Sequence, residues 1–340
     1  MKHLLTKKNL YVLIAILLGY AAVQALISVG VLRTFHQVNL ITGCIGVIMA
    51  VSLNLITGFT GQFTLGHAGF MAVGAYCSAI LTVKLGVPFP ISILAGALLA
   101  ALFGVLIGLP TLRLRGDYLA IATLGFGEVI RVVLLNTRYV GGAAGLFNIP
   151  RTITWTGAFI AAVITVVVIR NLLRSSYGRA CISVREDEVA AEMMGIDITR
   201  YKVLAFTVGA LFAGLGGGIY AHYFFGLQPG TFGFMKSIDY LVMVVLGGMG
   251  SLSGSVLAAI VLTIINVMLQ QFSEIRMILY ALLLIVIMIF RPQGLMGSRE
   301  LNLQVLKESM YALVRRLKRF GSKDSGKTEG GAKDGAAGNQ

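Results

Sequence analysis

Apolar residues run along this chain in long blocks. Stretches of about 20 apolar residues, long enough to cross the hydrocarbon of a bilayer as helices, recur from residue 10 to residue 290. The clearest are 10–31, 88–109, 154–173, 203–224 and 273–290, and further blocks cover 39–57, 67–83, 117–135, 238–248 and 252–270. The block 238–248 is too short to span alone and reads as a half-helix or re-entrant piece. The pattern predicts an all-α fold, a polytopic membrane helix bundle of about ten spans with glycine-broken helices.

Composition agrees. Apolar residues make up 57% of the chain and charged residues 12%, against roughly 25% charged in a soluble domain. The 42 glycines suit helices whose backbones approach closely. The formal charge of +14 is a topology signal and not a nucleic-acid footprint. With ten crossings, one side carries Lys2, Lys7, Lys8, Arg113, Arg115, the group from Arg170 to Lys202, Arg291 and the tail. The other side carries only Arg33, Lys84, Arg138, Arg151, Lys236 and Arg276. That bias makes the first side cytoplasmic, with both termini on it. Trp155 and the cluster Tyr223, Phe224 and Phe225 then fall at the outer interface. The run 10–32 after Lys8 is longer than the apolar core of a signal peptide, so it is expected to be an uncleaved first span.

Three regions follow from these shifts. Residues 1–297 form the transmembrane domain. Residues 298–320 read as a basic amphipathic segment, with Leu303, Leu306, Met310, Leu313 and Leu317 at helical spacing, suited to lie on anionic membrane lipid or to extend into solvent. Residues 321–340 are polar and glycine-rich and are expected to be disordered. Gly321–Thr328 matches the phosphate-loop pattern letter for letter, but no apolar strand precedes it and only a short polar tail follows. No nucleotide site is expected there, so any coupling to ATP must come from a partner. Cys44, Cys77 and Cys181 read as small buried apolar residues. The four histidines show no metal-ligand spacing.

The most charged internal stretch is the large cytoplasmic loop 175–201. Arg185, Glu186, Asp187 and Glu188 lead into Val189, Ala190, Ala191, Met193 and Met194, and Gly195 stops the pattern. Small residues and methionines on a short helix make a knob that a partner groove can grip, and acids at its start suit the helix dipole. A capped, solvated loop is the plainer alternative. Elsewhere Gly58, Gly61, Gly66 and Gly69 interrupt one membrane region, among Asn54, Gln62, Thr64 and His67. Gly247, Gly248, Gly250 and Gly254 interrupt a second. Paired breaks of this kind line transport pathways, although tight helix packing also uses glycine. His67, at a helix start, reads as a structural hydrogen-bond partner. Glu128 and Arg131, at i, i+3 in an apolar span, form either a structural ion pair or a gate. Asp117 is expected to cap its helix, and Asp239 to start a short one.

Four segments together carry a family resemblance: the loop 175–201, Asn54–Tyr76, Gly116–Leu146 and Val245–Gly254. In this order they resemble the M-type permeases of bacterial branched-chain amino-acid ABC importers, the LivM type, over residues 39–296. The basic tail is not part of that pattern. The resemblance implies an inner-membrane importer built from this chain, a homologous second permease, two cytoplasmic ATP-binding subunits and a periplasmic substrate-binding protein. It implies that 183–195 docks on an ATP-binding subunit, with Arg185, Glu186, Asp187, Glu188, Ala190, Ala191, Met194 and Gly195 as coupling residues. ATP and magnesium would sit on those partners and no cofactor on this chain. The candidate pathway is Asn54, Gly58, Gly61, Gln62, His67, Glu128, Arg131, Gly247, Gly248 and Gly250. Related permeases carry urea, short amides or simple sugars. A membrane scaffold or an intramembrane enzyme is the reading from another class, but no reactive group with its activator is apparent.

Overall fold

A computed structural model describes residues 34–111, 114, 116–269 and 294–297, with scattered residues of 18–29 and 278–289. The predicted crossing 10–31 therefore lies about half outside the described residues, 273–290 largely so, and the segments 298–320 and 321–340 wholly so. All contacts given below belong to the unit Ala22–Glu300, and the unit Met1–Ala21 with Leu301–Gln340 is almost entirely undescribed.

The described chain is helical: α1 Thr34–Thr57, α2 His67–Leu85, α3 Phe89–Thr111, α4 Asp117–Asn136, α5 Trp155–Arg174, α6 Ser176–Glu186, α7 Glu188–Met193, α8 Ile198–Phe224, α9 Phe234–Gly247 and α10 Leu252–Leu269. Among the described residues seven helices, all but α6, α7 and α9, are long and apolar enough to cross a membrane. Of the about ten predicted spans, seven are thus present among the described residues. The block 238–248 is part of α9, whose 14 residues reach only about 21 Å at 1.5 Å per residue, short of a bilayer core of about 30 Å.

Helix α8 is the spine of the bundle, with its most extensive packing against α3 and α2. Small residues make that possible. The backbones of Gly74 on α2, Gly96 on α3 and Gly214 on α8 meet directly, and a side chain on Gly214 would collide with Ala97 and Ala100. Lipid tails are as apolar as leucine, so close backbone approach supplies the van der Waals contact that holds such helices together. Phe70 and Phe206 are fully buried and meet edge-on at 5.4 Å between ring centres.

Caps explain several boundaries. The Thr154 hydroxyl accepts from Gly157 N, Ser175 from Gly178 N and Asp197 from Arg200 N. Two expected caps are absent. Asp117 is the first residue of α4, where Gly116 stands at the N-cap and makes no side-chain bond. Asp239 lies inside α9, which begins at Phe234, and faces Lys236 at 3.6 Å. The predicted interfacial aromatics stand at helix ends. Trp155 opens α5, Tyr223 and Phe224 close α8, and the Arg151 guanidinium stacks on Tyr223 at 4.2 Å. The end of α9 is met by residues 294–297: Leu295 N donates to Leu246 O at 2.7 Å and Met296 N to Gly247 O at 3.3 Å.

Candidate functional site

The two glycine breaks, about 190 residues apart in sequence, meet in space through one side chain. Asn54 is on the last turns of α1 and fully buried. Its Nδ2 donates to Ser251 O at 2.9 Å and to Ser255 Oγ at 2.8 Å, and its Oδ1 accepts from Gly250 N at 3.0 Å. Every polar atom of the carboxamide is thus satisfied by the turn between α9 and α10 and the first turn of α10. At membrane depth, irregular backbone persists only where protein or a water-filled cavity satisfies its groups. Gly58 must be glycine here, because a side chain would overlap both the Asn54 carboxamide and Gly250 N. Ser251 and Ser255 were not singled out from sequence. Their four-residue spacing, on one face just after a glycine-rich break, is the signal that could have marked them.

The loop 175–201 holds the expected short helix as α7, and a second helix, α6, ahead of it. Ser175 caps α6, and the Asp187 carboxylate caps α7 by accepting from Val189 N at 2.9 Å and Ala190 N at 3.0 Å. Gly195, with φ +81°, turns the chain out of α7. The eight candidate coupling residues divide. Glu186, Asp187, Ala190, Met194 and Gly195 are exposed, and Glu188 is half-buried in an ion pair with Lys202. Ala191 is buried at 4% exposure, and Arg185, its side chain 31% exposed, reaches in to Gly58 O. Met193 and Met194 stand 83% and 82% exposed, with Val189 beside them at 58%. Within α6, burial pushes the Cys181 thiol up to about 11, and its Sγ lies 3.7 Å from Tyr201 O on α8.

Arg185 is the contact between the helix pair and the breaks. Its Nη1 donates to Gly58 O at 2.8 Å, and its Nε to Glu186 Oε1 at 3.1 Å. Gly61, at φ +70°, passes the arginine stem, with its missing Cβ only 3.1 Å from Arg185 Cγ.

The remaining pathway candidates do not all converge. Gln62 is buried and its Nε2 donates to Thr60 Oγ1 and to Lys202 O. His67 opens α2, fully buried, 2.9 Å from Ser52 Oγ on α1. Gly247 packs its backbone on Gly254, and Gly248 lies against Gly297. Glu128 and Arg131 do form the expected pair, Nε to Oε2 at 2.6 Å, with side chains about one third exposed (34% and 33%). They belong to α4, whose membrane window is only 22% buried. The bond from α4 to the first break comes instead from Thr123, whose Oγ1 accepts from Leu65 N at 3.2 Å.

Residues 38–289 match the family described as the permease component of branched-chain amino acid transport systems. The chain belongs to this family. The high-affinity branched-chain amino acid transport system permease proteins LivM of Escherichia coli K12 and Salmonella typhimurium LT2 are 37% and 36% identical to the permease over 294 residues. Those alignments cover 76% of the permease and 69% of each relative. LivH of S. typhimurium is 27% identical over 186 residues, 53% of the permease and 59% of LivH. No solved structure matches. The match range spans both glycine breaks, the helix pair and the Glu128–Arg131 pair, so the joint described above lies within the family's shared region.

Proposed function

We propose that the chain is the non-catalytic permease subunit of an ATP-driven importer that carries branched-chain amino acids into the cytoplasm. The observation that carries the mechanism is the pair Met193 and Met194, each more than four-fifths exposed (83% and 82%) on a short capped helix beside the membrane bundle. Exposed, adaptable thioether side chains rimmed by acids are what a partner groove grips. Basic residues on and around α6 and α7, Arg174, Arg179, Arg200 and Lys202, orient this end to the cytosol. Both termini then face the cytosol as well. An ATP-binding subunit docks on α7, and a second such subunit serves a homologous second permease.

The exposed face of α4 supports the rest of the assembly. Tyr118, Ile121, Val129 and Val133 lie on it uncovered, and the one-third-exposed Glu128–Arg131 pair belongs to the same helix. Charges within a span face protein or water and not lipid. This face therefore packs on the second permease and borders the path taken by the amino acid, which a periplasmic binding protein delivers. Uptake of labelled leucine and labelled urea, in a strain lacking this chain and in the same strain with it restored, tests the reading. Restored leucine uptake supports it, and restored urea uptake without leucine uptake refutes the substrate assignment.

A further inference from the structure

The two breaks and the α6–α7 pair meet at Arg185, whose side chain, 31% exposed, ends on a carbonyl of the first break. Asn54 already stitches the break after α1 to the break between α9 and α10. Arg185, in the last turn of α6, adds the third member. Its Nη1 holds Gly58 O at 2.8 Å in the first break. The same Nη1 lies 2.6 Å from where a Cβ of Gly250 would stand in the second. Gly61 and Gly250, at φ +70° and +85°, hold left-handed turns that bring their backbones against the arginine with no side chain between. Glu186 takes the other edge of the guanidinium through Nε and Nη2. A planar, five-donor fork held on two edges has less rotational freedom than a lysine ammonium in the same place.

We infer that Arg185 is a positioning residue: it transmits movement of the α6–α7 pair to both membrane breaks at once and does not itself contact the ATP-binding subunit. This rests on the importer reading above. A load applied to α7 passes through Asp187 and the end of α6 to the guanidinium. From there it reaches Gly58 directly and Gly250 through the shared Asn54 bonds. The two breaks then open or close together, because the hydrogen bonds among them leave neither free to move alone.

The test uses the whole importer in proteoliposomes, with leucine as substrate, and reads leucine carried per ATP hydrolysed. A merely structural residue would lower both rates with the amount of intact complex and leave their ratio unchanged. Arg185→Gln is expected to retain the ATP-binding subunits in wild-type proportion and to lower the ratio about tenfold. Arg185→Lys, which keeps the charge and one donor to Gly58 O, is expected to recover part of it. An unchanged ratio in Arg185→Gln overturns the inference. So does loss of the ATP-binding subunits from that variant, since Arg185 would then be a docking residue. If Arg185→Gln does not accumulate, Arg185→Lys is read alone, and a wild-type ratio there overturns the inference. Failure of ATP-binding subunits to copurify with the unmodified chain would instead overturn the importer reading itself.

Discussion

Replacing Asn54 with alanine removes the bonds that join the two breaks. Three hydrogen bonds of 2.8–3.0 Å are lost, all from a fully buried side chain. Ser251 O and Ser255 Oγ still reach each other at 3.2 Å, so the group left bare is Gly250 N. Net values of about 0.6–1.5 kcal/mol per buried hydrogen bond, with the stranded N–H at the upper end, give a destabilisation of about 2–4 kcal/mol. In thermal unfolding of the purified permease in mild detergent, that amounts to a drop of roughly 3–6 °C. Asn54→Asp keeps an acceptor for Gly250 N but sets a second acceptor against Ser251 O, so it is expected to cost at least as much. Thr42→Ala, at an exposed site on the same helix whose hydroxyl only returns to Val38 O, serves as control and should stay within about 0.5 kcal/mol of wild type. If Asn54→Ala melted with that control, the joint would not hold the breaks together.

Three further outcomes are expected. Met193→Glu places a charge on the exposed face of α7 and should cut copurification of the ATP-binding subunits at least tenfold, with the permease itself still in the membrane; wild-type copurification would count against docking there. Gly214→Val has no room against Ala97 and Ala100, whereas Gly125 has open space around it. The first should cost about 1–3 kcal/mol or abolish accumulation, while Gly125→Ala should melt near wild type, and equal melting of the two would refute the close packing of α3 and α8. With Cys44 and Cys77 replaced by alanine, Cys181 should react with iodoacetamide at pH 8 at least a hundredfold more slowly than in unfolded chain. The sign follows from burial: a thiol raised from 9.0 to about 11 has about a hundredfold less thiolate below pH 9. Labelling should therefore speed up as pH rises toward 11, and a pH-independent fast rate would contradict the burial.

The bundle was legible because lipid-spanning helices need long apolar runs, and seven of the predicted blocks appear as such helices. The i, i+3 spacing of Glu128 and Arg131 fixed their pairing, because both partners ride on one helix face. Gly195 ended its helix as its position suggested. What escaped depends on distant partners. The short helix expected at the Ala190–Met194 knob is α7, but α6 was missed, although Ser175 is an ordinary capping residue that starts it. Arg185 looked like part of an exposed charged run. Its inward turn is set by a carbonyl 127 residues away, which no local pattern reports. Ala191 looked like part of the knob, yet it lies on the buried side of a helix too short to reveal its own period.

Helix α9 stops short of a full crossing, and the carbonyls of its last two residues, Leu246 and Gly247, find donors in Leu295 and Met296. Bare peptide oxygens in hydrocarbon cost several kcal/mol each. A stop codon placed ahead of Gly294 would thus remove more than a tail: it would strip the plug from the end of a half-helix. Deletions and fusion tags made for purification should leave the stretch through Gly297 intact, since the foldable core extends that far.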